Sequence, residues 1–195
     1  MRIPDDFLHY LSAHEDCSEQ LLFRARNLSA EDLEVSTDAE VMRIKKMVHS
    51  VLTEVHRMEA FVRLRPLGPC VLYGYLKPRH RIGEIICDFF ARRNPQTIVV
   101  LGNGHESWIS FNYGGEILRK RGAKMAETLE QLKSSFNCSE EGRDVKDIWQ
   151  AYYDSQYSPC HKSAKSSHKR MPRRDQKAAG LRMVQNKSIV TLDDF

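Results

Sequence analysis

Between residues 38 and 60 apolar side chains return every three or four positions: Val41, Ile44, Val48, Val51, Val55 and Met58. That period puts them on one stripe of an α-helix. Thr37 or Asp38 can cap its first turn, and Glu40 stands three residues after Thr37, as in a capping box. A second helical pattern covers residues 81–93, where Ile82, Ile85, Ile86, Phe89 and Phe90 define one buried face before Pro95 stops it. Two strands are predicted between these helices, over residues 61–65 and 71–76, with Pro66, Gly68 and Pro69 punctuating the chain between them; the alternation leaves open whether they pair as a hairpin. Residues 97–101 and 108–113 read as a second strand pair around the turn Gly102-Asn103-Gly104, with Gly114-Gly115 ending the sheet.

Scattered apolar clusters at Phe7, Leu8, Tyr10 and Leu11, and then at Leu21, Leu22 and Phe23, predict short helices over residues 5–35. Further helices are predicted at 124–136 and 144–157, the last with an apolar and aromatic face of Val145, Ile148, Trp149, Tyr152 and Tyr153. Beyond Pro159 the chain turns to Ser, Lys, Arg and Ala, too polar to bury a core of its own. The expected fold class is therefore α+β: a small antiparallel sheet of about four strands, covered on one face by helices, with a basic and largely irregular C-terminal tail. The expected organisation is an acidic helical and loop extension over 1–36, a globular domain over 37–157, and the basic tail over 158–195.

Charge changes this picture more than bulk composition does. The net charge of +4 conceals an asymmetry: residues 1–40 hold ten acids and three bases, net −7, whereas residues 157–187 hold nine bases and one acid, net +8. A cationic arm leaving the aromatic cluster Trp149, Tyr152, Tyr153 and Tyr157 suits a polyanion with stackable bases, which means nucleic acid, with DNA favoured. The acidic end could fold over the basic tail, or both could be solvated surfaces that never meet. No apolar run reaches the roughly 18 residues of a membrane span, and the first residues carry no apolar signal segment, so a cytoplasmic protein is expected.

Catalytic and metal chemistry finds little support. Five cysteines form no CxxC pair, so free thiols in a reducing compartment are expected, with Cys87 filling core. His49 and His56 share a helix face and are the weak candidates for acid–base work, but seven residues is about 10.5 Å along the axis, too far to share one ion. Neither His9, His14 and Cys17 nor Cys160-His161 has zinc-ligand spacing. No GxGxxG, GxxxxGK[ST] or GxSxG motif occurs. No metal or cofactor is expected. The nucleic-acid candidates are His56, Arg57, Arg63 and Arg92 on the folded part, Tyr153 and Tyr157 for stacking, and Lys165, Lys169, Arg170, Arg173 and Arg174 in the tail, where Pro172 restrains the arginines beside it.

One set of blocks resembles a known family. They are His49, the run His56-Arg57-Met58-Glu59-Ala60-Phe61-Val62-Arg63-Leu64, Pro78-Arg79-His80, Phe90-Ala91-Arg92-Arg93, Trp108-Ile109, Trp149 to Ser155, and Met171-Pro172-Arg173-Arg174. In order and spacing they resemble a family described as DNA-repair or DNA-metabolism proteins, built around a domain of unknown function. The resemblance implies association with a radical S-adenosylmethionine protein of DNA modification or repair, and fusion in some relatives to a uracil-DNA glycosylase-like partner. It transfers no catalytic residue. At 175–176 this chain has Asp-Gln where the family usually has Tyr-Trp. The resulting expectation is a nucleic-acid-binding accessory protein of DNA repair or modification. The alternatives are an adaptor for a radical S-adenosylmethionine enzyme, or a nucleic-acid-processing enzyme using His49 or His56.

Overall fold

A computed structural model describes residues 2–136 and 172–180. Its spine is a 23-residue helix, Ala39–Phe61, here α4 because three shorter helices precede it: α1 (Phe7–Ala13), α2 (Glu19–Ala25) and α3 (Ala30–Val35). Asp38, not Thr37, caps α4, its side chain accepting from the Glu40 and Val41 backbone N–H groups at 2.8 and 3.1 Å. The capping box lies one element earlier, at the start of α3, where Ser29 and Asp32 satisfy each other's backbone N–H.

The apolar stripe of α4 serves two cores. Ile44, Met47, Val48 and Leu52 in its first half close over Ile3, Phe7, Leu11, Leu21, Ala25 and Leu33 from the N-terminal segment. Val51, Val55 and Met58 in its second half pack on Ile82, Ile86, Cys87 and Ala91 and on the sheet residues Val99, Leu101 and Trp108. Burial of such side chains contributes about 1.5–3 kcal/mol each, so α4 joins the acidic first forty residues to the sheet.

The sheet corrects the expectation in several ways. It has five strands in the order β1 (Arg65–Pro66), β2 (Val71–Tyr75), β3 (Ile98–Gly102), β4 (Ser107–Tyr113) and β5 (Glu116–Gly122), instead of about four. β2 and β3 are parallel, because helix α5 (Gly83–Arg93) carries the chain across between them; the other pairs are antiparallel. Gly114 and Gly115, both at positive φ (59° and 93°), turn the chain from β4 into β5 and do not end the sheet. The first predicted strand is also shorter than its alternation suggested: α4 runs on through Phe61, and only Arg65 and Pro66 pair.

Helices cover both faces. Val99 and Leu101 point to the α4 and α5 side. Val100 lies with Leu67 and Val71 against Leu129 and Leu132 of α6 (Met125–Phe136). Gly83 opens α5 directly on the Trp108 ring, where a Cβ would meet Cε2 at 2.0 Å.

Within the stretch expected to be irregular, Arg173–Ala178 form a short helix, α7, behind Pro172. It is tied to the domain by a bond from Lys77 N–H to the Ala178 carbonyl (2.9 Å) and by Ala179, which enters the main core at 4% exposure. Gly180, at φ 67°, passes the Tyr75 ring where a Cβ would meet it at 2.8 Å. The predicted helix at 144–157 lies outside the described residues.

A candidate ligand cleft on helix α4

On one face of α4, His49, Ser50, Thr53, Glu54 and Arg57 line a cleft of about 260 Å³. Their spacing of i, i+1, i+4, i+5 and i+8 is what a single helix face requires. The opposite wall comes from distant parts of the chain: Arg79 and His80 from the loop after β2, and Arg174 and Asp175 from α7.

Glu54 holds the loop. Its two carboxylate oxygens accept the consecutive backbone N–H groups of Arg79 (2.8 Å) and His80 (2.9 Å). His80, only 2% exposed, is fixed at both nitrogens: Nδ1 faces the Glu15 backbone N–H at 3.3 Å and Nε2 faces Ser50 Oγ at 2.9 Å. Since Glu15 N–H can only donate, neutral His80 carries its proton on Nε2 and donates it to Ser50. The ring is thus a donor to Ser50 and does not act as its base in this state. His14 packs against His80, with ring centroids 4.3 Å apart and planes tilted by 34°, and its own Nδ1 accepts from Asp16 N–H at 3.1 Å. Burial lowers the pKa of both rings. Nearby carboxylates oppose that shift: Glu54 at His80, Asp16 and Glu15 at His14.

The arginines of the cleft have acidic companions. Arg79 Nε donates to Glu15, whose own pKa is lowered chiefly by that bond. Arg57 Nη1 lies 3.1 Å from Asp175 Oδ2, close enough for an ion pair, yet its N–H is not aimed at the oxygen and Oδ2 receives no hydrogen bond. Asp175 itself is 5% exposed, whereas Arg174 beside it is exposed.

Of the residues singled out from sequence, His49, Arg57 and Arg174 meet at this cleft. His56 and Arg92 are exposed on α4 and α5 and do not line it. Arg63 turns back on its own helix end, donating to the Ala60 and Val62 carbonyls at 2.6 and 3.3 Å, and burial lowers its pKa. Arg173 supplies the first residue of α7. Tyr153, Tyr157, Lys165, Lys169 and Arg170 lie outside the described residues. Sequence reasoning missed Ser50, Thr53, Glu54, Arg79, His80 and Asp175 as cleft residues. The first three were readable from their shared helix face with His49 and Arg57. Among the described residues no group of three His, Cys, Asp or Glu side chains could hold a metal ion, and no helix is long and apolar enough to cross a membrane.

A family model described as a domain of unknown function, DUF4130, matches residues 13–178. The chain belongs to the DUF4130 family. The match begins at the end of α1 and stops at the end of α7, so every residue lining the cleft falls within the DUF4130 domain. No curated protein and no solved structure matches the chain.

Proposed function

We propose that this DUF4130 protein is a nucleic-acid-binding accessory protein of DNA repair or modification, with its folded contact surface at the α4 cleft. The observation that supports the reading is the convergence of Arg57, Arg79 and Arg174, from a helix, a loop and the C-terminal segment, on one concave surface. Arginine forks suit phosphate oxygens, and acidic companions such as Glu15 and Asp175 restrict the conformations an arginine must give up on binding. The tail cations Lys165, Lys169 and Arg170 would extend the field along a strand. A radical S-adenosylmethionine protein is the partner the family resemblance suggests.

The test is titration of a labelled single-stranded oligonucleotide across a salt series. Three arginine–phosphate contacts correspond to a slope of log affinity on log salt of about −2, steeper with tail contacts. Binding that ignores salt, or no binding at low salt, refutes the proposal.

A further inference from the structure

The cleft differs from a plain phosphate pocket in one respect. Its three arginines meet the carboxylates of Glu54 and Asp175 in the wall, and Arg79 is further engaged by Glu15, so the cleft carries acceptors as well as cations. Asp175 is buried in the wall, and its Oδ2 is one of two buried side-chain atoms among the described residues without a hydrogen-bond partner; the other, Asn112 Oδ1, belongs to β4. An isolated phosphate gains nothing from such an acceptor. A ligand carrying both an anion and an N–H donor does.

We infer that the cleft takes a single unpaired nucleotide, its base inward with an N–H on Asp175 Oδ2 and its phosphate outward on Arg57 and Arg174. This rests on the nucleic-acid reading and sharpens it to one nucleotide. With Arg79 engaged by Glu15, Arg57 and Arg174 are the cleft cations left to meet one phosphate. The volume of about 260 Å³ lies below the roughly 300–1,000 Å³ of drug-sized ligand pockets, so the cleft seats at most one nucleotide and excludes a duplex. Ser50 and Thr53 add hydroxyl groups along the same wall.

Entry proceeds by exchange, because Oδ2 is closed off from solvent. Arg57 has a side chain 44% exposed and a misaligned N–H on that oxygen. Its fork leaves the carboxylate for the incoming phosphate, and a base N–H takes its place. Each charged group then gains an aligned partner. Guanine, with adjacent N1–H and N2–H donors, is the base best matched to a carboxylate, and enzymes that extrude bases read them through that edge.

The experiment is calorimetric titration of the full chain with dGMP, deoxyribose 5-phosphate and inorganic phosphate at about 50 mM salt, beside the oligonucleotide series. Expected is dGMP binding at least about tenfold tighter than either base-free phosphate, as one charge-assisted hydrogen bond provides. Asp175→Asn should remove that margin and leave phosphate binding in place. Arg174→Ala, at an exposed position, should weaken all three ligands. Equal affinity for dGMP and phosphate, or undiminished dGMP binding in Asp175→Asn, overturns the inference. If circular dichroism shows Asp175→Asn unfolded, the dGMP-to-phosphate ratio in the natural protein and in Arg174→Ala decides. An oligonucleotide that binds with a salt slope while dGMP does not refutes the single-nucleotide site and keeps the nucleic-acid reading. Failure of both ligands refutes both.

Discussion

Glu54 is the residue on which the cleft's geometry turns, and its removal has a calculable cost. The carboxylate accepts two consecutive backbone N–H groups, at 2.8 and 2.9 Å, and so fixes the loop that presents Arg79 and His80. Hydrogen bonds to a charged group contribute about 1.5–3 kcal/mol each, and a buried N–H left without a partner costs about 1–3 kcal/mol. The two sites are unequal. His80 is 2% exposed, so its N–H finds no water when Glu54 is gone, whereas the exposed Arg79 can recover solvent. Discounting Arg79 accordingly, Glu54→Ala should destabilise the protein by about 2–4 kcal/mol. Glu54→Gln keeps one acceptor oxygen and should cost about half as much. The assay is urea unfolding with an unchanged m-value, paired with amide hydrogen exchange, in which Arg79 and His80 should lose protection before the core does. A Glu54→Ala protein within about 0.5 kcal/mol of the parent, or one whose Arg79 and His80 amides stay protected, would show that the loop is held by something else.

Two further outcomes follow from buried groups. His14 and His80 have folded pKa values below their ordinary value. Their contribution to stability is therefore complete above about pH 6.5 and is lost as pH falls through the lower folded values. Urea midpoints measured from neutral pH downward should decline across this window, ahead of carboxylate titration, and His14→Gln should flatten the decline; a midpoint constant between pH about 7 and 5 contradicts the buried-pair reading. Gly83→Ala places a methyl group 2.0 Å from Trp108 Cε2 inside the core, so thermal unfolding should reveal a loss of about 1–3 kcal/mol with altered Trp fluorescence, and a neutral variant would mean that Trp108 can move aside.

Local periodicity made much of this fold legible. The stripe from Val41 to Met58 and the pattern from Ile82 to Phe90 both gave helices, although in the second the burial falls on Ile82, Ile86, Cys87 and Ala91 and leaves Ile85, Phe89 and Phe90 half-buried. Strand β5 left no such pattern. Glu116, Arg119, Lys120 and Arg121 carry no apolar alternation, since the strand sits at the sheet edge and is held by ladder bonds and by side-chain pairs such as Arg119–Asp88 and Arg121–Glu84 at 2.7 and 2.5 Å. The parallel pairing of β2 and β3 left a fainter mark, the uninterrupted apolar run at 98–101, which is how a strand covered on both faces reads. Half of the cleft was written in the spacing of residues 49, 50, 53, 54 and 57. The other half, Arg79, His80 and Asp175, depends on contacts 25 or more residues away, as in the bond from Arg79 N–H to Glu54.

Hydrogen-bond direction in the cleft bears on which kind of chemistry it supports. Ser50, His80 and Glu54 together suggest an activated hydroxyl, yet each bond runs the wrong way for one. Glu54 is engaged by backbone N–H groups and by no imidazole N–H, and Glu15 N–H occupies the ring nitrogen that a catalytic carboxylate would otherwise orient. His80 therefore presents a proton to Ser50 and takes none from it. The same bonds make the loop rigid and tie it to the acidic N-terminal segment through Glu15, which also holds Arg79. These bonds leave no activated hydroxyl among Ser50, His80 and Glu54. If cleavage of nucleic acid were nevertheless found, Ser50→Ala should raise KM and leave kcat within a few-fold; a kcat that collapsed in a folded Ser50→Ala protein would require the His80 tautomer to invert, and the loop contact with Glu15 to break, during turnover.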